Sequence, residues 1–299
     1  MIRRFGRSLT AISLVALWFV APAEADEIRD DLGEPFAFSS APMRVISLAP
    51  SNTEMLFALG VGNRIVGVTE YCNYPPEANN INRVAGFNTV NLEKVAQVRP
   101  ELILAIRGND MESLRSLRQL GIPVFSFDIQ NLDQVSSALR RLGVLFGVEY
   151  RANSLADSLE GRVRLVRQQM KNIPDKPKVM WGFWGDPIYT AGAGTMIDDV
   201  IKTAGGKNIG RLAKGAWPQI SLETVVQWAP DVIITTHVPG GVDHLSSEVN
   251  RLRETEGWEL IPAVRSGRIH YVEADWLLRP GPRLVDALQS VAHLLHEKD

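Results

Sequence analysis

Apolar residues along this chain fall into short continuous runs separated by segments with helical spacing. Arg44-Val45-Ile46-Ser47-Leu48-Ala49 is one such run, of the kind found in strands buried on both faces, and Pro50 stops it. Ser51 or Asn52 then caps a helix through Leu59, which Gly60 terminates. The pattern continues with a strand at Ile65 to Val68, a helix at Leu92 to Val98, a strand at Leu102 to Ala105, a helix at Met111 to Leu120 and a strand at Val124 to Phe127. Strands that alternate with helices imply a parallel α/β sheet.

From Val148 to Met170 apolar positions recur in steps of three and four, at Val148, Ala152, Leu155, Leu159, Val163, Val166 and Met170, with no proline inside. This spacing predicts one amphipathic helix about 35 Å long at about 1.5 Å per residue. Beyond Pro174 and Pro177 the alternation restarts, with strands at Lys178 to Phe183, Val232 to Thr236 and Ile269 to Val272 and a helix near Met196 to Ala204. The expected fold is therefore α/β: two Rossmann-like lobes with mainly parallel sheets, joined by one long helix, with a ligand cleft between them. The implied divisions are residues 1–25, an N-terminal arm at 26–43, a first lobe at 44–146, the linking helix at 147–173 and a second lobe at 174–299.

An internal repeat supports the two-lobe reading. The segment from Asn91 to Ala105 aligns without gaps on Ser221 to Thr235, so that Leu, Glu, Val, Gln and Pro coincide. Each copy reads as a capped helix, a proline turn and a buried strand. Similarity between two ordinary helix–strand units is the competing explanation, and the shared Glu and Gln-x-x-Pro spacing argues against it.

The N-terminus reads as an export signal. Arg3, Arg4 and Arg7 precede an apolar run from Leu9 to Val20, and Ala23 and Ala25 follow at cleavage-site spacing, so cleavage is expected after Ala25. The apolar run is shorter than the roughly 20 residues of a spanning helix. The one cysteine, Cys72, offers neither a lipidation site at the cleavage point nor an intrachain disulfide, so a free periplasmic protein, monomeric and not inserted in the membrane, is expected. With 45% hydrophobic residues and a net charge of −2 from interspersed charges, the chain should form a packed core and gives no electrostatic reason to bind nucleic acid.

In open parallel sheets ligands bind beyond the carboxyl ends of the strands. The loops at those ends are Pro50 to Thr53, Thr69 to Tyr71, Ile106 to Asn109, Phe183 to Asp186, Thr236 to Pro239 and Ala274 to Trp276. Tyr71, Phe87, Phe183, Trp184, Trp217 and Trp276 lie in or beside them and would wall a large, partly apolar ligand. Singly, each aromatic is better read as ordinary core or lobe-edge packing; their grouping at loop positions raises the functional reading.

The segments Arg44 to Glu54, Tyr71-Cys72-Asn73-Tyr74-Pro75-Pro76 and Asn91-Leu92-Glu93 resemble the helical-backbone binding proteins of cobalamin, haem and siderophore importers. Trp217 to Ser221 and Asp275 to Arg283 look more like the cobalamin branch. The resemblance implies that Tyr71, Phe87, Phe183, Trp217, Asp275 and Arg279 line a corrin cleft, with phenylalanine at position 87 where the cobalamin branch carries tryptophan. It also implies that Glu93 and Glu223, one on each lobe, dock onto arginines of a dimeric ABC importer permease. A helix-dipole role for both glutamates is the alternative.

Other chemistries are weighed on the same residues. Haem would use Tyr71 as an axial phenolate with His237 facing it, and a ferric siderophore would use Arg107 for an anionic chelate. His237, Asp243 and His244 do not make a convincing metal set, and no resident cofactor is implied. Ala191-Gly192-Ala193-Gly194-Thr195 before a helix is the best raw material for an enzyme, yet it lacks the lysine of a P-loop and the full glycine fingerprint of a dinucleotide site. No catalytic residues emerge, and the chain is expected not to be an enzyme.

Overall fold

The computed structural model describes residues 28–36, 40–86, 89–183 and 187–296; the expected signal segment and its cleavage point lie outside them. In chain order the first half contains β1 (Ile28–Arg29), β2 (Pro35–Phe36), β3 (Val45–Ser47), α1 (Pro50–Ala58), β4 (Ile65–Thr69), β5 (Arg83–Ala85), α2 (Leu92–Val98), β6 (Leu102–Ile106), α3 (Met111–Gln119), β7 (Val124–Phe127), α4 (Leu132–Phe146) and α5 (Glu149–Met170). The second half contains β8 (Lys178–Phe183), β9 (Ile188–Thr190), α6 (Met196–Thr203), β10 (Lys207–Asn208), β11 (Gln219–Ile220), α7 (Leu222–Trp228), β12 (Val232–Thr235), α8 (Leu245–Arg253), α9 (Pro262–Ser266), β13 (Ile269–Tyr271), α10 (Ala274–Leu277) and α11 (Leu284–His296).

The first sheet is parallel throughout, in the order β5-β4-β3-β6-β7. The second runs β11-β9-β8-β12-β13, with β10 also on β8; its β8-β12-β13 centre is parallel, whereas β9 and β11 are antiparallel. The long amphipathic helix appears as α5, which follows α4 and leads from the first sheet to β8 of the second.

Period-two alternation assigns each strand residue to one of two cores. Val45, Leu102, Leu104, Phe125 and Phe127 point into a large cluster, while their neighbours Ile46, Ile103 and Val124 join a smaller one with α2 and α3. In the second lobe Val179, Trp181, Val232 and Ile234 enter that same large cluster, and Met180 and Ile233 face a local one. The large cluster continues through Ala152, Ala156, Leu159 and Val163 of α5 and Leu284 to Leu295 of α11. One apolar core thus runs from lobe to lobe without a break, and separating the lobes would expose it to water.

The internal repeat is reproduced at the level of the backbone. Asn91 and Ser221 cap α2 and α7 by accepting from the N–H of Lys94 and Thr224, and both helices end in left-handed residues, Arg99 and Ala229. Arg44 reaches the Val98 carbonyl at 2.6 Å, and Lys178 reaches the corresponding Trp228 carbonyl at 3.1 Å. Glu101 N–H donates to Arg44 O, and Asp231 N–H to Lys178 O. Superimposed hydrogen bonding on this scale is not expected of two unrelated helix–strand units.

Three local expectations are corrected. The expected N-terminal arm is part of the fold: β1 and β2 form a hairpin, Phe36 packs in a T-shaped contact with Phe125 with centroids 5.0 Å apart, and the buried Asp30 accepts from Ser126 N–H. Two neighbouring aspartates thereby satisfy the open edge of β7, because Asp31 also accepts from Asp128 N–H. Neither Ser51 nor Asn52 caps α1; Ala49 holds the cap position and Pro50 occupies the first turn, where its missing N–H costs nothing. The helix α4 lies in a stretch for which no element was expected.

Candidate functional site

Tyr71 and Arg107 lie just beyond the carboxyl ends of β4 and β6 in one lobe; in the other, Asp275 and Trp276 lie on α10 beyond β13, and Trp217 lies just before β11. Tyr71 follows β4 and is 53% exposed, and Trp217, just before β11, is 54% exposed. Two large aromatic faces in contact with water, one on each lobe, are costly unless something covers them.

Each of the two is held from behind. Under Tyr71, Cys72 is buried with its Sγ 3.1 Å from Thr69 Oγ1, and Arg83 donates from Nη1 to the carbonyls of Thr69 and Cys72. Trp217 packs edge-on against Trp181, with ring centroids 5.8 Å apart at 71°. Trp276 is half-buried against the large core and is a packing residue first.

Arg107, exposed at the end of β6, donates from Nε to Asp128 at 2.5 Å, which leaves the outer edge of its guanidinium toward solvent. Asp275 and Arg279 are paired one helical turn apart at 2.6 Å. Arg279 also donates to Asn73 Oδ1 at 2.5 Å, crossing from the second lobe to the Tyr71 loop. Phe87 lies outside the described residues. Of Phe183 only the backbone is described, paired with Tyr189, and Trp184 to Asp186 lie outside.

The expected Pro50 to Thr53 ligand loop does not open to the crevice, since Ser51, Asn52, Thr53 and Glu54 are all buried in α1. Thr53 donates to Ser47 Oγ at 2.7 Å and Asn52 to Ala105 O at 3.2 Å, so these polar groups tie the helix to its own sheet. The glycine loop is no phosphate cradle either. Asp198 already fills the α6 N-terminus, accepting from Gly194 N–H at 3.1 Å and pairing with Arg211 at 2.6 Å. What Gly192 provides is close approach: its N–H donates to Ala216 O at 2.8 Å, and a Cβ there would collide with the Gly215 carbonyl. It therefore seats the segment that presents Trp217.

A contact not foreseen from sequence joins the lobes beside this site. Glu54, 4% exposed on α1, accepts from Arg283 N–H at 3.0 Å and Arg283 Nε at 2.9 Å; Nη2 lies 2.8 Å from the same oxygen as a charge contact rather than an aligned hydrogen bond. The Arg283 guanidinium also lies over the Tyr74 ring, 3.6 Å from its centroid. An acidic residue flanked by Thr53 and Met55 on an otherwise buried turn is the signal that could have found it, because a buried carboxylate needs a cation.

Glu93 and Glu223 are exposed in the first turns of α2 and α7. The Ser221 hydroxyl, and the Glu223 backbone N–H after it, hold the Glu223 carboxyl below its usual range. His237 is exposed just beyond β12, with its N–H donating to Thr235 Oγ1.

Comparison with known proteins adds the following. A family model described as periplasmic binding protein matches residues 45–275. The chain is 32% identical over 259 residues to a vitamin B12-binding protein of Photorhabdus laumondii, covering 86% of this chain and 90% of that one. It is 30% identical over 276 residues to an uncharacterized ABC transporter substrate-binding lipoprotein of Bacillus subtilis, covering 90% and 85%. Among solved structures, the periplasmic vitamin B12 binding protein of Vibrio cholerae superimposes with a TM-score of 0.75 at 30% identity, covering 86% of this chain and 98% of that one. A periplasmic heme-binding protein from Roseiflexus sp. RS-1 gives 0.74 at 26% identity, covering 86% and 98%.

Proposed function

The chain belongs to the periplasmic binding protein family, and from that premise we propose that it captures a corrinoid between its lobes and delivers it to the permease of an ABC importer. The observation that carries this reading is the pair of water-exposed aromatics, Tyr71 and Trp217, each braced from behind on an opposite lobe of a body whose lobes share one core. A corrin offers broad apolar edges ringed by amides. Aromatic walls cover the edges, while Asp275, Arg107 and backbone groups meet the rim.

Capture of this kind requires no bond to be made or broken, and the protein acts as a carrier rather than as an enzyme. The working place is the periplasm, reached through the N-terminal signal, and the working form is a monomer. Cys72, buried under the Tyr71 loop, is not a lipid attachment site. Glu93 and Glu223, in matching turns of the two repeat copies, present one carboxylate per lobe to a two-fold permease.

Haem is the second reading, and one observation favours it: the exposed Tyr71 side chain presents a hydroxyphenyl group, a known type of axial iron ligand, from the first lobe. Haemin titration of the wild type and of Tyr71→Phe, followed by absorbance, separates the two readings. The corrinoid reading predicts weak haemin binding with the same spectrum in both proteins. A tight haemin complex whose spectrum depends on Tyr71 would replace it with the haem reading.

A further inference from the structure

Besides the continuous core, the lobes are joined by a polar contact of definite geometry. The segment of the second lobe from Arg279 to Arg283 meets the first lobe at three residues, Asn73, Tyr74 and Glu54. Asn73 and Tyr74 belong to the loop that carries Tyr71. Glu54 accepts from the backbone N–H of Arg283 on one oxygen and from its Nε on the other, and such charge-assisted, doubly bonded pairs fix orientation as well as distance. Gly281 permits the approach, since a Cβ at that position would lie 3.2 Å from the Glu54 carboxyl carbon.

The partners of Arg279 also matter. One of its nitrogens is bonded to Asn73 and another faces Asp275, and its side chain is only 16% exposed. Two of its nitrogens are thus engaged inside the protein. The resemblance places Arg279 on the ligand, and the geometry gives it work between the lobes as well.

We propose that Arg279 and Arg283 are positioning residues that clasp Asn73, Tyr74 and Glu54 across the lobes, holding the Tyr71 loop in its ligand-covering position and thereby setting how long the ligand stays. The proposal rests on the corrinoid reading for the identity of the ligand, though not for the clasp itself. A permease that draws the lobes apart would have to break these contacts before the crevice could empty. In the free protein the clasp keeps Tyr71 pre-positioned against bound ligand, so its loss destabilises the complex and speeds escape, while entry, limited by encounter, changes little.

The test uses the exported, purified chain and the variants Asn73→Ala, Arg283→Lys and Glu54→Gln. Amide hydrogen exchange of the ligand-free proteins should quicken in residues 69–75 and 279–283 while the rest of both sheets keeps wild-type protection. Stopped-flow with cyanocobalamin should then show dissociation faster by about tenfold, with the association rate within about twofold of wild type. Asn73 is exposed, so Asn73→Ala keeps the test alive if the two variants at the buried pair fail to fold. Unchanged exchange in folded Asn73→Ala would overturn the clasp, as would affinity lost through slower association alone. A wild type that binds no corrinoid defeats the ligand reading, and the exchange measurement still decides the clasp.

Discussion

Arg99 and Ala229 occupy matching places in the two lobes and share one backbone conformation, with φ of 43° and 47°. Among the described residues they are the non-glycine positions with positive φ. Each ends a helix one residue before a proline, where the chain must leave the helix and turn into the next strand. A Cβ in that conformation costs about 1–2 kcal/mol. Replacing Ala229 with glycine removes the strain but loosens the unfolded chain by about 0.5–1 kcal/mol. Ala229→Gly should therefore raise stability in urea denaturation by up to about 1 kcal/mol, and a clear loss would show that Ala229 is not strained.

Gly192 gives a prediction of the opposite sign. Since a side chain there meets the Gly215 carbonyl, Gly192→Ala must displace either its own loop or the strand entry that carries Trp217. The expected cost is about 1–3 kcal/mol of stability, together with weaker ligand binding. Thermal unfolding and calorimetry on the same sample check both. Full stability with wild-type affinity would mean that the two segments adjust freely.

Trp217→Ala should behave differently, because the ring is half in water and makes a T-shaped contact with Trp181. Losing that pair should cost about 1 kcal/mol of stability. If Trp217 is the anchor of the second lobe, binding should weaken by about 2 kcal/mol or more. An unchanged dissociation constant in the folded variant would return Trp217 to surface packing.

Much of the fold was legible in the sequence because buried parallel strands and a long amphipathic helix impose patterns that neighbours cannot mask. The bounds of α2, β7 and β8 fall where the periodicity placed them. The repeat was legible for the same reason, through positions such as Leu92 and Leu222. What was not legible depends on contacts between distant segments. The β1–β2 hairpin has no apolar alternation of its own and is held by Asp30 and Asp31 on β7. Local sequence makes Ser51 and Asn52 look like caps, yet tertiary burial draws them into α1. In the site, the aromatics could be picked out one by one, but the pairing of Glu54 with Arg283, 229 residues apart, could not.

The docking assignment predicts that Glu93→Arg combined with Glu223→Arg leaves corrinoid affinity near wild type while abolishing stimulation of the importer's ATPase. Both carboxylates are exposed, so folding should survive. Because the Ser221 contact lowers the Glu223 pKa, that carboxylate stays ionised wherever the pH is above the ordinary glutamate value, and docking through it should not vary with pH near neutrality. Stimulation retained by the folded double variant would contradict the assignment.

Calorimetric titration of the purified chain with cyanocobalamin, cobinamide, haemin and a ferric hydroxamate under identical conditions tests the central claim most directly. Saturable one-to-one binding that is tightest for the corrinoids, without turnover of any ligand, is the predicted result; preferential binding of haemin or of the hydroxamate would contradict it.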